Sequence, residues 1–457
     1  MDEQQLRKLK PELDRFLDRY APRFGRDQNQ AHARRFVQGL LRGGERRNTE
    51  NIAEALAGGP VRSLQAFVTT GAWDDGDLLG RLRRDLLDVL ADEDAVWNAD
   101  ETGFPKKGTK SVGVKRQYSG TLGRTDNCQV AVFANYCSAK GHAFLDRRLF
   151  LPEEWANDAA RREAAGIPAD VLFRTKPALA LEMVAQAVAE GVPFRWVGGD
   201  SVYGDNPTFV QGVRALGKWY VLDVPCDTQV WAEPPQVIPA ADRPRRGRGG
   251  RPPTKPLVRG ERRRVDEVVA ALPATAWRRV LVGEGSQGPR LYEYADVPVW
   301  FCEDELPGPP ERLLARRSLG QSAEVKYHRA NAPAAVPLEK LARVRGSRWT
   351  IEEDIQSAKG ECGLDEYETR GWVGWHHHTA LSMLALAFLV LQRQRLGEKR
   401  AADDRPRGPR LTEPPAGRAR VGQRRDPDLV GVAARAQSPG GRQPSSAAAR
   451  RTPATAK

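Results

Sequence analysis

The stretch VWNADETGFPKKG (Val96–Gly108) decides the fold. An apolar run, Ala95–Ala99, reads as a short buried strand that ends in the carboxylate of Asp100, just before a turn containing Gly and Pro. A buried strand that runs into an acid aims that acid at the rim of the sheet, where α/β folds carry their sites. The stretch FRWVGGDSVYGDN (Phe194–Asn206) repeats the design: the strand Phe194–Val197 meets Asp200, and a Gly-containing turn leads to a helix over Pro207–Leu216. Two strands of one sheet that end in Asp can bring their carboxylates within a few ångströms of each other. Each Asp also has a plainer reading, as a turn cap for Asp100 and a helix N-cap for Asp200, although Asp205 or Asn206 suits the second role better.

Outward from these strands, Cys128–Tyr136 and Phe144–Leu151 alternate like antiparallel neighbours, Leu172–Glu190 is helical, and Trp219–Val224 is another strand. Strands followed by helices and further strands predict an α/β core with a mixed sheet. Residues 1–90 read as all-helical, with Leu6, Leu9, Leu13, Phe16 and Leu17 on one amphipathic face. Within them Ile52–Trp73 reads as helix, Gly-Gly-Pro turn, helix, which suits either a helix-turn-helix DNA reader or an αα-hairpin in a bundle. Residues 91–225 form the first part of the core and 226–335 a β-rich insertion separate from it. Residues 336–396 return to helix, ending in the apolar run Thr379–Leu391.

The chain has 457 residues, 40% hydrophobic and 29% charged, with five scattered cysteines. An odd, dispersed set of thiols excludes a disulfide scaffold and argues against a zinc module. The N-terminal residues are charged and lack the apolar core of a signal peptide, and the run Leu381–Leu391 is too short to span a bilayer. A reducing, cytoplasmic setting such as the bacterial nucleoid is expected, with no membrane partner. The net charge of +13 points to a polyanion, yet residues 397–457 hold 14 basic and 6 acidic residues, so +8 of it lies in the tail. That tail is rich in Arg, Pro, Ala and Gly, cannot bury enough apolar surface to fold, and has the texture of a shifted reading frame in GC-rich DNA.

A third carboxylate, Glu352, stands in SRWTIEEDIQSAKGECGLDEY (Ser347–Tyr367). Arg348, Glu352, Ile355 and Lys359 fall along one helical face, as a salt-bridged surface row or as the wall of a phosphate-binding cleft. Two Asp and one Glu meet the need of two-metal phosphoryl transfer, in which hard oxygens hold two Mg²⁺ about 4 Å apart. Arg348 and Lys359 would then bind phosphate oxygens.

These segments resemble bacterial insertion-sequence transposases of the DDE type, most closely the insertion-sequence family 701 group. The resemblance is carried by DETGFPKKG (100–108), SVGVKRQYSGTLG (111–123), NCQVAV (127–132), GDSVYG (199–204) and RWTIEEDIQSAKGECGLDEYETRGWVGWHHH (348–378). Arg348, Glu352 and Lys359 match the R-x3-E-x6-K part of the signature of the wider family-4 transposases; Arg345 stands where that signature has Tyr. The similarity spans roughly residues 10–396. It implies an RNase H-like catalytic core with a β-rich insertion, preceded by a helical DNA-binding or pairing domain. It further implies Asp100, Asp200 and Glu352 as catalytic and metal-binding acids, with two Mg²⁺ that Mn²⁺ can replace. The implied partners are the element's terminal inverted repeats, target DNA and a second copy of the chain. A catalytically silent DNA-binding relative and an RNase H-like nuclease without strand transfer are the competing functions.

Further candidates are DNA-facing. Lys106 and Lys107 follow the first Asp and either touch phosphate or sit in a solvated turn. Tyr203 belongs to the second-Asp motif. Arg245, Arg248 and Arg251 lie in RPRRGRGGRPPTK (Arg243–Lys255), a basic loop resembling a minor-groove hook apart from one extra glycine. Trp231 lies in the insertion, where related enzymes stack a flipped base on a Trp; a packing role is the plainer reading. His376, His377 and His378 are about 100° apart around a helix, so they do not converge on one metal, and they read as a polar helix start.

Overall fold

The computed structural model describes residues 3–42, 46–56, 61–243, 253–285, 288–319 and 324–403. The expected basic loop positions Arg245, Arg248 and Arg251 lie outside them, as do residues 404–457 of the tail expected to be disordered over 397–457; residues 397–403 instead continue the helix Trp372–Asp403.

Val96–Pro105 is strand β1, flanked on one side by β3 (Arg124–Ser138), which also pairs with β2 (Lys115–Ser119) and β4 (Gly141–Leu149), all antiparallel. On its other side β5 (Trp196–Gly199) and then β6 (Trp219–Val224) run parallel. Val96, Trp97, Ala99 and Phe104 are all buried, as a strand covered on both faces requires. The expected strand end at Ala99 is corrected: β3 is long enough to pair with β1 as far as Pro105, whereas β5 pairs with it only to Asn98. Asp100 therefore lies inside a strand, where its parallel neighbour stops.

Residues 226–335 are β-rich, and they extend the core sheet instead of standing beside it. They contain β7 (Gln229–Trp231), the ribbon of β8 (Gln236–Ile238) and β9 (Leu257–Arg259), β10 (Arg262–Arg264), β11 (Arg278–Gly285), β12 (Gly288–Glu303), β13 (Leu306–Ser318) and β14 (Val325–Ala330). β14 pairs antiparallel with β6, β13 with β14, and β12 with β13, giving a 12-stranded mixed sheet among the described residues.

Helices α1 (Glu3–Asp18), α2 (Asp27–Arg42), α3 (Thr49–Ala55), α4 (Val61–Thr69) and α5 (Asp75–Leu90) precede the sheet. Between β4 and β6 come α6 (Glu153–Ala156), α7 (Ala159–Ala165), α8 (Lys176–Ala189), α9 (Ser201–Gly204) and α10 (Pro207–Ala215). Then follow α11 (Val265–Ala270), α12 (Leu338–Ser347), α13 (Trp349–Cys362) and α14 (Trp372–Asp403). Leu381, Leu384 and Phe388 of α14 share one core with Phe16, Phe36, Phe67 and Leu86 of the leading helices and with Phe133 and Leu145 of the sheet. The leading helices thus bury their apolar faces on α14, at about 2 kcal/mol for each large side chain. The segments of Ile52–Trp73 contribute Ile52, Leu64, Phe67 and Val68 to that core. The histidine run is likewise interior and not a polar start: α14 begins at Trp372, His377 stacks on Trp73 at 3.7 Å, and His378 Nε2 lies 2.9 Å from the Gly363 carbonyl oxygen.

Candidate active site

The parallel register pairs Val96 with Trp196 and Asn98 with Gly198, so two residues further on Asp100 lies beside Asp200. The next pairing, Gly199 with Leu222, brings Asp223 of β6 alongside in the same way. The glycines allow this crowding. A Cβ on Gly198 would come within 2.1 Å of Asn98 Oδ1, and one on Gly204 within 2.0 Å of the Asp223 carbonyl oxygen. Asp200 Oδ1 accepts the Val202 N–H at 2.9 Å and so caps α9, while Asn206 caps α10. Asp200 thus combines the capping role with its place at the strand rim.

Helix α13 crosses this rim. Its Asp354 accepts from Asn135 Nδ2 at 2.9 Å and faces His142 Nδ1 at 2.9 Å, while Asn98 Nδ2 donates to Asn135 Oδ1 at 3.0 Å. This buried polar network fixes the rotation of the helix. Arg348 Nη1 then donates to Asp100 Oδ2 at 3.0 Å, and its Nη2 to Glu352. Further along, Lys359 Nζ donates to the Gly103 carbonyl and to Thr121 Oγ1, both at 3.1 Å. The row Arg348, Glu352, Lys359 therefore runs along β1. Glu353 turns away and accepts from Trp349 Nε1 at 3.2 Å.

Burial raises Asp100 to about 7, with Asp200 adding to the rise and Arg348 opposing it. Burial and then Glu101 raise Asp200 to about 6. Burial outweighs the single guanidinium of Arg348, so these two neighbouring carboxylates resist ionisation. Their hard oxygen donors and surplus negative charge suit a divalent cation. With Arg348 bonded between Asp100 and Glu352, no three acidic, His or Cys side chains among the described residues stand close enough to hold one as placed.

The other expected residues divide. Lys107 is exposed. Lys106 is half-buried, 3.5 Å over the Tyr367 ring, and burial lowers it to about 8, so it braces the turn instead of standing free for phosphate. Tyr203 is fully buried and donates to Glu101 at 3.2 Å, so it meets the site through that carboxylate and not through DNA. Trp231 is 1% exposed beneath Arg262, so its ring is not presented to a base; packing between β10 and β12 encloses it. Missed in the sequence were Glu101, bound by Lys176 at 2.7 Å on the far face of β1, and Asp223. The alternation of β1 places Glu101 opposite to Asp100, a usable signal. Asp223 carried none, since nothing local marks it as the neighbour of Asp200.

A family profile described as DDE superfamily endonuclease matches residues 19–289. The chain belongs to the DDE superfamily endonucleases. The matched span of this DDE chain takes in Asp100, Asp200 and Asp223 and ends before Glu352. Endonucleases of the superfamily generally use divalent metals. The chain is 32% identical over 198 residues to the probable transposase for insertion sequence element IS701 of Microchaete diplosiphon, a match covering 42% of the chain. It spans about half of that relative's length, 48%. Among solved structures, the NurA nuclease from Sulfolobus solfataricus overlaps 73% of the chain and 94% of its own, at 10% identity and a TM-score of 0.24, too low to equate the folds. No helix among the described residues is long and apolar enough to cross a membrane.

Proposed function

We propose that this DDE chain is a DNA transposase that cuts the ends of an insertion sequence and joins the freed 3′ hydroxyls to target DNA. In this reading the core is RNase H-like, and Asp100, Asp200 and Glu352 are its catalytic carboxylates. Two Mg²⁺ ions held by these three side chains, with Mn²⁺ as a substitute, would supply Lewis-acid activation of the attacking oxygen and neutralise charge on the leaving one. Arg348 and Lys359 bind phosphate oxygens through charge-assisted hydrogen bonds. The half-buried position of Lys359, which lowers its pKa, keeps its ammonium directed along β1. The leading helices bind or pair the element's terminal repeats, and the working form is a homodimer on DNA in the nucleoid.

The observation that carries this reading is the adjacency of Asp100 and Asp200 in the parallel register, faced by Glu352 of α13 and by Arg348 at that helix's N-cap. The test is cleavage of linear DNA bearing the inverted repeats that flank the gene, with Mg²⁺ or Mn²⁺ and with EDTA. Metal-dependent nicking at the 3′ ends, lost in Asp200→Ala, is expected. Binding without cleavage would favour a silent DNA-binding relative, and cleavage without joined product a nuclease lacking strand transfer.

A further inference from the structure

Arg348 is shared between two groups of acids. Its two Nη atoms are bonded to Asp100 and Glu352. Its Nε is buried, has no hydrogen-bond partner and lies 4.0 Å from Asp223 Oδ2. Asp223 is itself seated by His328 Nδ1 at 2.8 Å and Arg345 Nη2 at 3.1 Å. Its carboxylate thus has one oxygen on the imidazole and the other on the Arg345 guanidinium, with Arg348 next to it. Arg345, at the position where the transposase signature has Tyr, is thus spent on keeping Asp223 in place.

Building on the proposed function, we infer that Asp223 is a positioning residue: it is the seat that draws Arg348 off Asp100 and Glu352 when a divalent cation takes their oxygens. A guanidinium and a metal ion compete for the same lone pairs, and a displaced buried cation needs another anion within reach. A shift of about 1 Å would turn the 4.0 Å separation between Arg348 Nε and Asp223 into a hydrogen bond. The Asp223 carboxylate has lone pairs to accept from both arginines. Arg348 is thereby an internal counter-ion of the metal-free site, and Asp223 sets how easily it gives way.

The test is Mn²⁺ binding to the full chain without DNA, by calorimetry or by the loss of the free-ion paramagnetic resonance signal. Arg348→Ala should bind Mn²⁺ about tenfold more tightly than the unaltered chain, and Asp223→Asn about tenfold more weakly, as for a coupling of ordinary size. The double variant should behave like Arg348→Ala, because Asp223 acts only through Arg348. Asp223→Glu keeps the carboxylate, should restore the original affinity, and serves as the second variant if Asp223→Asn folds poorly. An Asp223→Asn effect that persists in the Arg348→Ala background, or no effect at all, overturns the inference. Asp200→Asn separates this from failure of the underlying reading. Mn²⁺ binding that survives Asp200→Asn overturns the metal site and the inference with it. Loss of binding there, with a silent Asp223→Asn, overturns the inference alone.

Discussion

Asp354 Oδ2 accepts a hydrogen bond from Asn135 Nδ2 at 2.9 Å, and this buried bond seats the helix that carries Glu352 against the strand beside Asp100. The same Asn135 donates to Thr350 Oγ1 at 2.9 Å and accepts from Asn98, so its polar atoms depend on α13 being in register. Asp354→Ala leaves Asn135 and His142 without their buried partner. The expected loss is about 3 kcal/mol in a denaturant titration, and a change below 1 kcal/mol would argue that the network does not anchor α13.

The opposite directions of Glu352 and Glu353 give a sharp comparison. Glu352 meets Arg348 beside Asp100, whereas Glu353 meets Trp349 at the surface. Glu352→Gln should lower metal-dependent nicking about a thousandfold, on the scale of removing a charge-stabilising group from a transition state. Glu353→Gln should stay within about threefold. Equal losses in a timed cleavage assay would reassign the acid.

Stability against pH should show the strain at Asp200. Burial, then Glu101, raises this acid from 3.8 to about 6, so the folded chain holds its proton more tightly than the unfolded one. The folded state is therefore penalised as pH climbs through that interval, and the full penalty is present above it. Asp200→Asn removes the charge and retains an oxygen to cap α9. In metal-free buffer it should be more stable than the unaltered chain by about 3 kcal/mol at pH 7.5 and indistinguishable at pH 3. Calorimetric melts at the two pH values decide this, and a stability difference that does not change with pH would contradict it.

The join between the insertion strands and the core rests on a buried ionic cluster. Arg329 Nη2 donates to Glu303 and Glu311 at 2.7 Å each, and Arg214 of α10 bonds both acids. Tyr220 of β6 donates to Glu311 at 2.7 Å. Arg329→Ala leaves two buried carboxylates undercompensated and should cost about 4 kcal/mol. Proteolysis should then begin within residues 226–335; a variant that melts like the unaltered chain would refute the anchoring role.

The sequence by itself determined the local elements of this protein. Alternating apolar residues marked β3 and β4, and helical spacing put Arg348, Glu352 and Lys359 on one face, where the structure has them along β1. Such patterns are legible because side-chain direction repeats every 2 residues in a strand and every 3.6 in a helix. Only the tertiary structure decided what those faces meet. The extension of β1 through Asp100 depended on the length of β3, and the union of residues 226–335 with the core depended on β14 finding β6. Tyr203 and Trp231 were turned inward by neighbours distant in sequence, and Asp223 came beside Asp200 through pairing of β5 with β6. Pairings of this kind are set by non-local register and by competition among buried charges, and neither leaves a periodic trace in the chain that makes them.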